Sequence, residues 1–225
     1  MSALIIAIDG PSAAGKSTLA KRLAKNLGFT YLDTGAMYRA LALKVLIEGT
    51  DISNEAALPD LISRTEIDLV DKDGQSKVLL DGEDVSDKIR TPEVSQMASK
   101  TSALKVVRQW MLGLQRTLGQ RGNVVAEGRD IGTVVFPDAA VKIYLNASVQ
   151  ERARRRVAEL RKAGRQVSLD ETLREMGERD KRDSERDLAP LRQADDAIAI
   201  DSTTLDAETL AQRVMEQIRR TPLSN

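Results

Sequence analysis

An apolar run followed at once by a glycine-framed turn and a helix constrains this chain more than any other feature. Residues 3–9 read ALIIAID, apolar and β-branched side chains without polar alternation, the pattern of a strand covered on both faces. Gly10, Pro11, Ser12, Ala13, Ala14, Gly15, Lys16 and Ser17 follow and satisfy GxxxxGK[ST]. Leu19, Leu23, Ala24 and Leu27 then recur at helical spacing, and Gly28 ends the helix. In strand-turn-helix context the glycines let consecutive backbone N–H groups converge on a phosphate at a helix N-terminus. Lys16 adds positive charge toward the β and γ phosphates, and the Ser17 hydroxyl is a ligand for Mg2+.

Composition narrows the chemistry. The 225 residues contain neither cysteine nor histidine, which excludes thiol nucleophiles, zinc-thiolate and iron-sulfur sites, imidazole bases and Ser-His triads. Carboxylates, hydroxyls, lysine, arginine and backbone amides remain, with room for a hard, oxygen-bound cation. The 34 basic and 34 acidic side chains cancel, which argues against a whole-surface nucleic-acid binder while leaving room for a local basic cleft. The opening apolar run lacks a basic n-region and ends at Asp9 and Gly10, too short for a targeting signal or membrane span. The expectation is a cytoplasmic protein.

Further along, a short strand at residues 29–32 precedes an apolar helix at 36–48 closed by Gly49. Residues 67–70, 77–81 and 83–85 read as short strands separated by Asp71-Lys72-Asp73-Gly74 and Asp81-Gly82 turns. One helix is expected from Pro92 to about Leu118, with Pro92 in its first turn. Apolar strands follow at 123–126, 141–145 and 197–200, before a helix at 207–219. The alternation argues for an α/β fold, a parallel sheet with helices on both faces, interrupted by a small antiparallel insert. Residues 151–187 differ, with 12 basic and 10 acidic side chains in a pattern that suits solvated helices laced by i,i+4 ion pairs.

The phosphate loop alone does not choose between a kinase, a GTPase, a motor and a sensor. No NKxD base-reading motif is present, and a motor would carry more mass, so a small-molecule phosphotransferase is favoured. An acceptor site is then required. Asp33, Thr34, Gly35, Ala36, Met37, Tyr38 and Arg39 stand where the second strand meets a helix, the carboxyl end at which open α/β sheets bind ligands. Asp33 or Thr34 could cap that helix, whereas Arg39 is a fork donor suited to phosphate. Glu127-Gly-Arg-Asp-Ile-Gly132 follows the strand at 123–126 and opens at the same edge. Arg129 and Asp130 form either a surface ion pair or a phosphate ligand with an acid that accepts from a base or orders an arginine.

With the phosphate loop, DTGAMYR at 33–39, EGRDIGTVVFPDA at 127–139 and ERDKRDSER at 178–186, the chain resembles the bacterial cytidylate kinases of the nucleoside monophosphate kinase family. The likeness runs from residue 5 to about 202 and includes the insert. It implies a single P-loop kinase unit over 1–225, with a core of 1–59, 92–147 and 188–225, an insert at 60–91 on the monophosphate side, and a helical lid within 148–187. It also implies ATP phosphates on Gly10 to Thr18, and CMP phosphate on Arg39 and Arg129 with Tyr38 nearby. Ser99, Arg108 and Asp130 would surround the cytosine, Arg179 and Asp183 the ribose, and Arg186 would reach the phosphates. Asp33 and Thr34 belong to the same acceptor site. Ser99 and Arg108, nine residues apart, do not share one face of a continuous helix, so either the helix breaks between them or the pocket wraps it.

The activity so implied is transfer of the ATP γ-phosphoryl group to CMP or dCMP, with Lys16, Arg129 and Arg186 as catalytic residues and Mg2+ accompanying ATP. An acceptor that is already an anion needs no general base, so in-line positioning and charge cancellation suffice. A mobile lid would bring Arg152, Arg156 or Arg161 to ATP and exclude water. Competing readings are a kinase of UMP, AMP or dTMP, which the insert and EGRDIG segment disfavour, and a nucleotide sensor. A nucleic-acid polymer as partner is disfavoured because 1 Trp, 3 Tyr and 2 Phe give no stacking platform. A monomer is expected.

Overall fold

The computed structural model describes residues 4–72 and 75–220. Its centre is strand β1 (Ile5–Asp9), whose apolar run is covered on both sides. It lies between β6 (Val124–Gly128) and β7 (Val141–Asn146), both parallel to it, with Asp9 opposite Gly128 and Tyr144. Strand β2 (Thr30–Asp33) extends the sheet beyond β6 and β8 (Ile198–Asp201) beyond β7, giving the order β2-β6-β1-β7-β8. Every pair is parallel, so all five carboxyl ends share one edge.

Successive side chains of β1 feed opposite layers. Ile6 and Ile8 pack with Leu19 and Leu23 of helix α1 (Lys16–Leu27) and with Leu210, Val214 and Ile218 of α8 (Ala207–Arg220). Ala7 joins Met37 and Leu41 of α2 (Thr34–Glu48) on the other face. Helix α3 (Leu58–Ser63) and a 3-10 turn at Glu55–Ala57, both absent from the sequence expectation, lead into the insert. There β3 (Ile67–Lys72), β4 (Gln75–Leu80) and β5 (Glu83–Asp84) form an antiparallel sheet with Ile67 opposite Leu80. The expected turn residues Asp73 and Gly74 lie outside the described residues, as does Ala3 of the first run. The second turn is present, with Asp81 at φ 51° and Gly82 at 84°. Lys44 of α2 ties the insert down by donating to the Arg64 carbonyl at 2.6 Å and to Asp81 at 2.7 Å.

The single helix expected from Pro92 is in fact two, α4 (Pro92–Thr101) and α5 (Lys105–Gly119). Thr91 caps α4 through the amide of Val94 at 3.1 Å, with Pro92 in the first turn. The break at residues 102–104 contains neither glycine nor proline. Ala103 and Leu104 close back onto Lys100 and Thr101, and the Ser102 carbonyl accepts from Arg108. The charged segment forms α6 (Val149–Lys162) and α7 (Leu169–Glu185), packed together. Each begins with a Ser-x-x-Glu sequence whose serine caps the Glu amide, Ser148 to Glu151 and Ser168 to Glu171.

Candidate active site

Between β1 and α1 the loop turns on positions that only glycine tolerates. Gly10 has φ 145°, and a Cβ there would stand 1.9 Å from the carbonyl oxygen of Leu145 on β7. Gly15 has φ 99° and leads directly into α1, whose start has no side-chain cap. Its first amides are left to an incoming anion. Lys16 folds back, donating from Nζ to the Pro11 carbonyl at 2.7 Å. Burial pushes its ammonium down to about 7, the charge of Arg129 adds to the push, and Glu127 opposes it. A bound phosphate would supply the missing counter-charge.

Glu127, the last residue but one of β6, is buried. Tyr31 of β2 donates to its carboxylate, and Ser17 lines the same cleft. Burial raises Glu127 above the ordinary glutamate range and the Asp33 charge raises it further, against the pull of Lys16. Ser17, Asp33 and Glu127 line one cleft and offer hard oxygen donors of the kind Mg2+ takes alongside nucleotide phosphates. The Asp33 charge already acts on Glu127, and a divalent cation held beside the two carboxylates would relieve that repulsion.

The acceptor side is built from chain segments far apart in sequence. Asp33 Oδ1 caps α2 by accepting from the Ala36 amide at 2.8 Å while Oδ2 pairs with Arg39 at 3.3 Å. Thr34 donates to the Glu127 carbonyl at 2.7 Å. Beyond β6 the chain enters a π-helical turn, Ile131–Val135, a form that recurs at functional sites. Asp130, just before it, bridges two buried arginines, Arg108 through Oδ2 and Arg186 through Oδ1 at 3.4 Å. Asp130 therefore orders arginines rather than pairing at the surface. The Arg108 guanidinium lies 5.8 Å from the centroid of the Tyr38 ring.

Arg129 turns toward α7, donating from Nε to Asp183 at 2.8 Å. Burial raises the Asp183 carboxyl, but the charges of Arg129 and Arg179 outweigh it and hold the group below the ordinary range. Arg179 is pushed down to about 10, first by burial and then by the charge of Arg129. Its Nε has no hydrogen-bond partner among the described residues and stands 4.0 Å from Asp183. Lys16, Arg39, Arg108, Arg129, Arg156, Arg179 and Arg186 line the cleft against Asp33, Glu127, Asp130 and Asp183. Cations outnumber acids in a poorly solvated space, so the arrangement is completed by anions.

The structure thus brings Lys16, Ser17 and every expected acceptor residue but one into a single cleft. Ser99 is the exception, lining a neighbouring cavity where its hydroxyl accepts from Arg182 at 3.2 Å. Ser102, across the break, lines the cleft in its stead. Of the three lid arginines weighed from sequence, Arg156 lines the cleft. Arg152 is buried and donates to the Ser12 carbonyl at 3.3 Å and to Asp180 at 2.6 Å. Arg161 lies at the α6–α7 connection, donating to the Val167 carbonyl. Sequence reasoning missed Arg155, which donates to the Ser202 carbonyl at 2.6 Å while the Ser202 hydroxyl donates to the Ala14 carbonyl at 2.8 Å, bracing the loop from behind. It also missed the roles of Tyr31 and Glu127, although a carboxylate at the end of an apolar strand was a usable signal.

A family model described as cytidylate kinase matches residues 6–220. Among curated relatives, a cytidylate kinase of Syntrophotalea carbinolica is 53% identical over 96% of this chain and 92% of its own length. One of Geobacter sulfurreducens is 52% identical over 97% and 96%. A crystal structure of an uncharacterized protein from Eubacterium ventriosum superimposes with a TM-score of 0.51 at 13% identity, covering 96% of this chain and 98% of that one, a likeness of fold alone. With the family model spanning nearly all of the chain and relatives identical at half of their positions, the chain belongs to the cytidylate kinase family.

Proposed function

We infer that this protein transfers the γ-phosphoryl group of ATP to the 5′-phosphate of CMP or dCMP, giving CDP or dCDP and ADP. The observation that carries this is the meeting, in one cleft, of a phosphate loop with a second cationic site built around the Arg108–Asp130–Arg186 network. Relatives named as cytidylate kinases support the choice of nucleotide.

In this reading the backbone from Gly10 to Thr18 cradles the donor phosphates, and Lys16 spans toward the group in flight. Arg39 and Arg129 hold the acceptor phosphate. Arg108 and Asp130 face the cytosine, and Arg179 and Asp183 face the ribose. Ser99 reaches the base once Arg182 releases it, and Arg186 links Asp130 to the acceptor phosphate. Mg2+ would be held by Ser17 with Glu127 and Asp33, and when bound it neutralises charge on the β and γ phosphates. The acceptor oxygen is already anionic, so the chain's work is alignment and charge cancellation rather than proton removal. Residues 148–187 act as the lid, carrying Arg156, Arg179 and Asp183 onto the nucleotides and shutting out water. The insert at 60–91 stands on the acceptor side.

No helix among the described residues is long and apolar enough to cross a membrane. We propose a cytoplasmic enzyme that works as a monomer on free nucleotides, not on a nucleic-acid polymer. A coupled assay of ADP release at fixed ATP with CMP, dCMP, UMP, AMP and dTMP tests the assignment. Turnover with CMP or dCMP well above the others is expected. Preference for AMP or dTMP, or ATP consumption indifferent to any monophosphate, would overturn it.

A further inference from the structure

The carboxylate of Asp9 performs a task that neither the phosphate loop nor the nucleotide contacts account for. Both oxygens are used, Oδ1 accepting from the amide of Ile131 at 2.8 Å and Oδ2 from that of Gly132 at 2.7 Å. These are the first two amides of the π-helical turn, whose own hydrogen bonds begin only at Val134 and Val135. Asp9 is therefore an N-terminal cap donated by a strand 122 residues away. The residue is 5% exposed, so water does not readily replace it. A Cβ at Gly132 would press on the Lys142 side chain at 3.1 Å and 3.2 Å and meet Asp9 Oδ2 in ordinary contact at 3.4 Å.

We propose that Asp9 is a positioning residue for the acceptor nucleotide. It fixes the direction in which Arg129 and Asp130, the two residues just before the capped turn, enter the cleft. Asp130 in turn orients Arg108 and Arg186, and Arg129 meets Asp183. The donor loop is less dependent on this carboxylate. Gly10 is seated against Leu145, Ser202 and Arg155 brace the Ala14 carbonyl, and Glu127 acts on Lys16 more strongly than Asp9 does. The inference rests on the assignment of the Arg129–Asp130 segment to the acceptor.

The test compares wild type, Asp9→Asn and Asp9→Ala by varying CMP and ATP separately, together with CMP binding measured without ATP. Asn keeps one acceptor oxygen but turns an NH2 toward a backbone N–H, so one buried donor loses its partner. The KM and Kd for CMP should rise about tenfold in Asp9→Asn and further in Asp9→Ala, with the KM for ATP within about threefold of wild type. Equal shifts in both KM values, or none in either, would overturn the proposal, as would a fall in kcat alone. Hydrogen exchange on nucleotide-free wild type gives a readout independent of variant folding. Strong protection of the Ile131 and Gly132 amides is expected, and rapid exchange there refutes the two bonds. Wild type without CMP-dependent turnover would instead defeat the functional assignment.

Discussion

Binding of a polyphosphate to the loop should draw a proton from solution, and the amount follows from the surroundings of Lys16. In the nucleotide-free protein, burial, reinforced by the Arg129 charge, lowers its ammonium to about 7. At pH 8.5 roughly one molecule in thirty then carries the charge, whereas a phosphate against Nζ returns the group toward its ordinary value near 10.5. Binding of ATP without divalent cation at that pH should therefore take up about one proton, because the phosphates themselves are fully ionised there. The affinity should fall by about tenfold per pH unit between roughly pH 8 and 10. Calorimetry in buffers of different ionisation enthalpy reads the proton count directly. Lys16→Met should bind with no uptake, and Arg129→Met should take up less, because one of the charges expelling the proton is gone. Uptake below about a tenth of a proton in wild type, or uptake unchanged in Lys16→Met, would refute the reasoning. The sign for stability is fixed by the same shift. The unfolded lysine keeps its proton up to about 10.5 while the folded one sheds it near 7, so the contribution of Lys16 to stability rises with pH between about 7 and 10.5, is lost over the same window as pH falls, and is constant below 7.

Three further outcomes follow from single contacts. Asp130→Asn leaves Arg108 and Arg186 buried without their shared anion; at about 2–3 kcal/mol for the charged hydrogen bonds, Tm should fall by roughly 5–10 °C and CMP binding should weaken, so an unchanged melt together with unchanged CMP affinity would contradict the network. Gly10→Ala drives a Cβ to 1.9 Å from backbone at Leu145 in a conformation closed to L side chains. Overpacking and strain of about 2–6 kcal/mol should show as a large loss of Tm and of ATP binding, and a melt within about 2 °C of wild type would exclude the clash. Glu127→Gln should raise the Mg2+ concentration needed for half-maximal rate by about tenfold or more while sparing CMP binding without metal; a metal titration superimposable on wild type would remove Glu127 from the cation site.

Much of the fold was legible because its signals are local. The run ahead of Gly10 has no polar alternation, which means two covered faces, and Ile6, Ala7 and Ile8 do divide between two layers. Gly28 and Gly49 close helices with positive φ, and Asp81-Gly82 makes the turn its composition suits. The break after Thr101 left no such mark. Its reason is distant, since the Ser102 carbonyl accepts from Arg108, whose guanidinium is drawn to Asp130 beyond β6. The same holds in the candidate site. The phosphate loop is one contiguous segment whose glycines are dictated by backbone geometry, whereas Glu127 matters through Tyr31, brought beside it by the parallel pairing of β2 with β6.

By itself the sequence determined the chemistry available. A chain without cysteine or histidine but with GxxxxGKS after an apolar strand is confined to phosphate, hard cations, lysine and arginine, and its motifs named the family before any contact was known. The tertiary structure alone decided which charges face one another. It shut Lys16 among arginines, gave Asp130 two guanidiniums rather than one, sent Arg161 away from the cleft while admitting Arg156, and reached from Asp9 to the amides of Ile131 and Gly132. Propensity and periodicity act over a few residues and so can be read along the chain. Coulomb energy and desolvation depend on distance and burial in space, which are fixed only when strands far apart in sequence lie side by side.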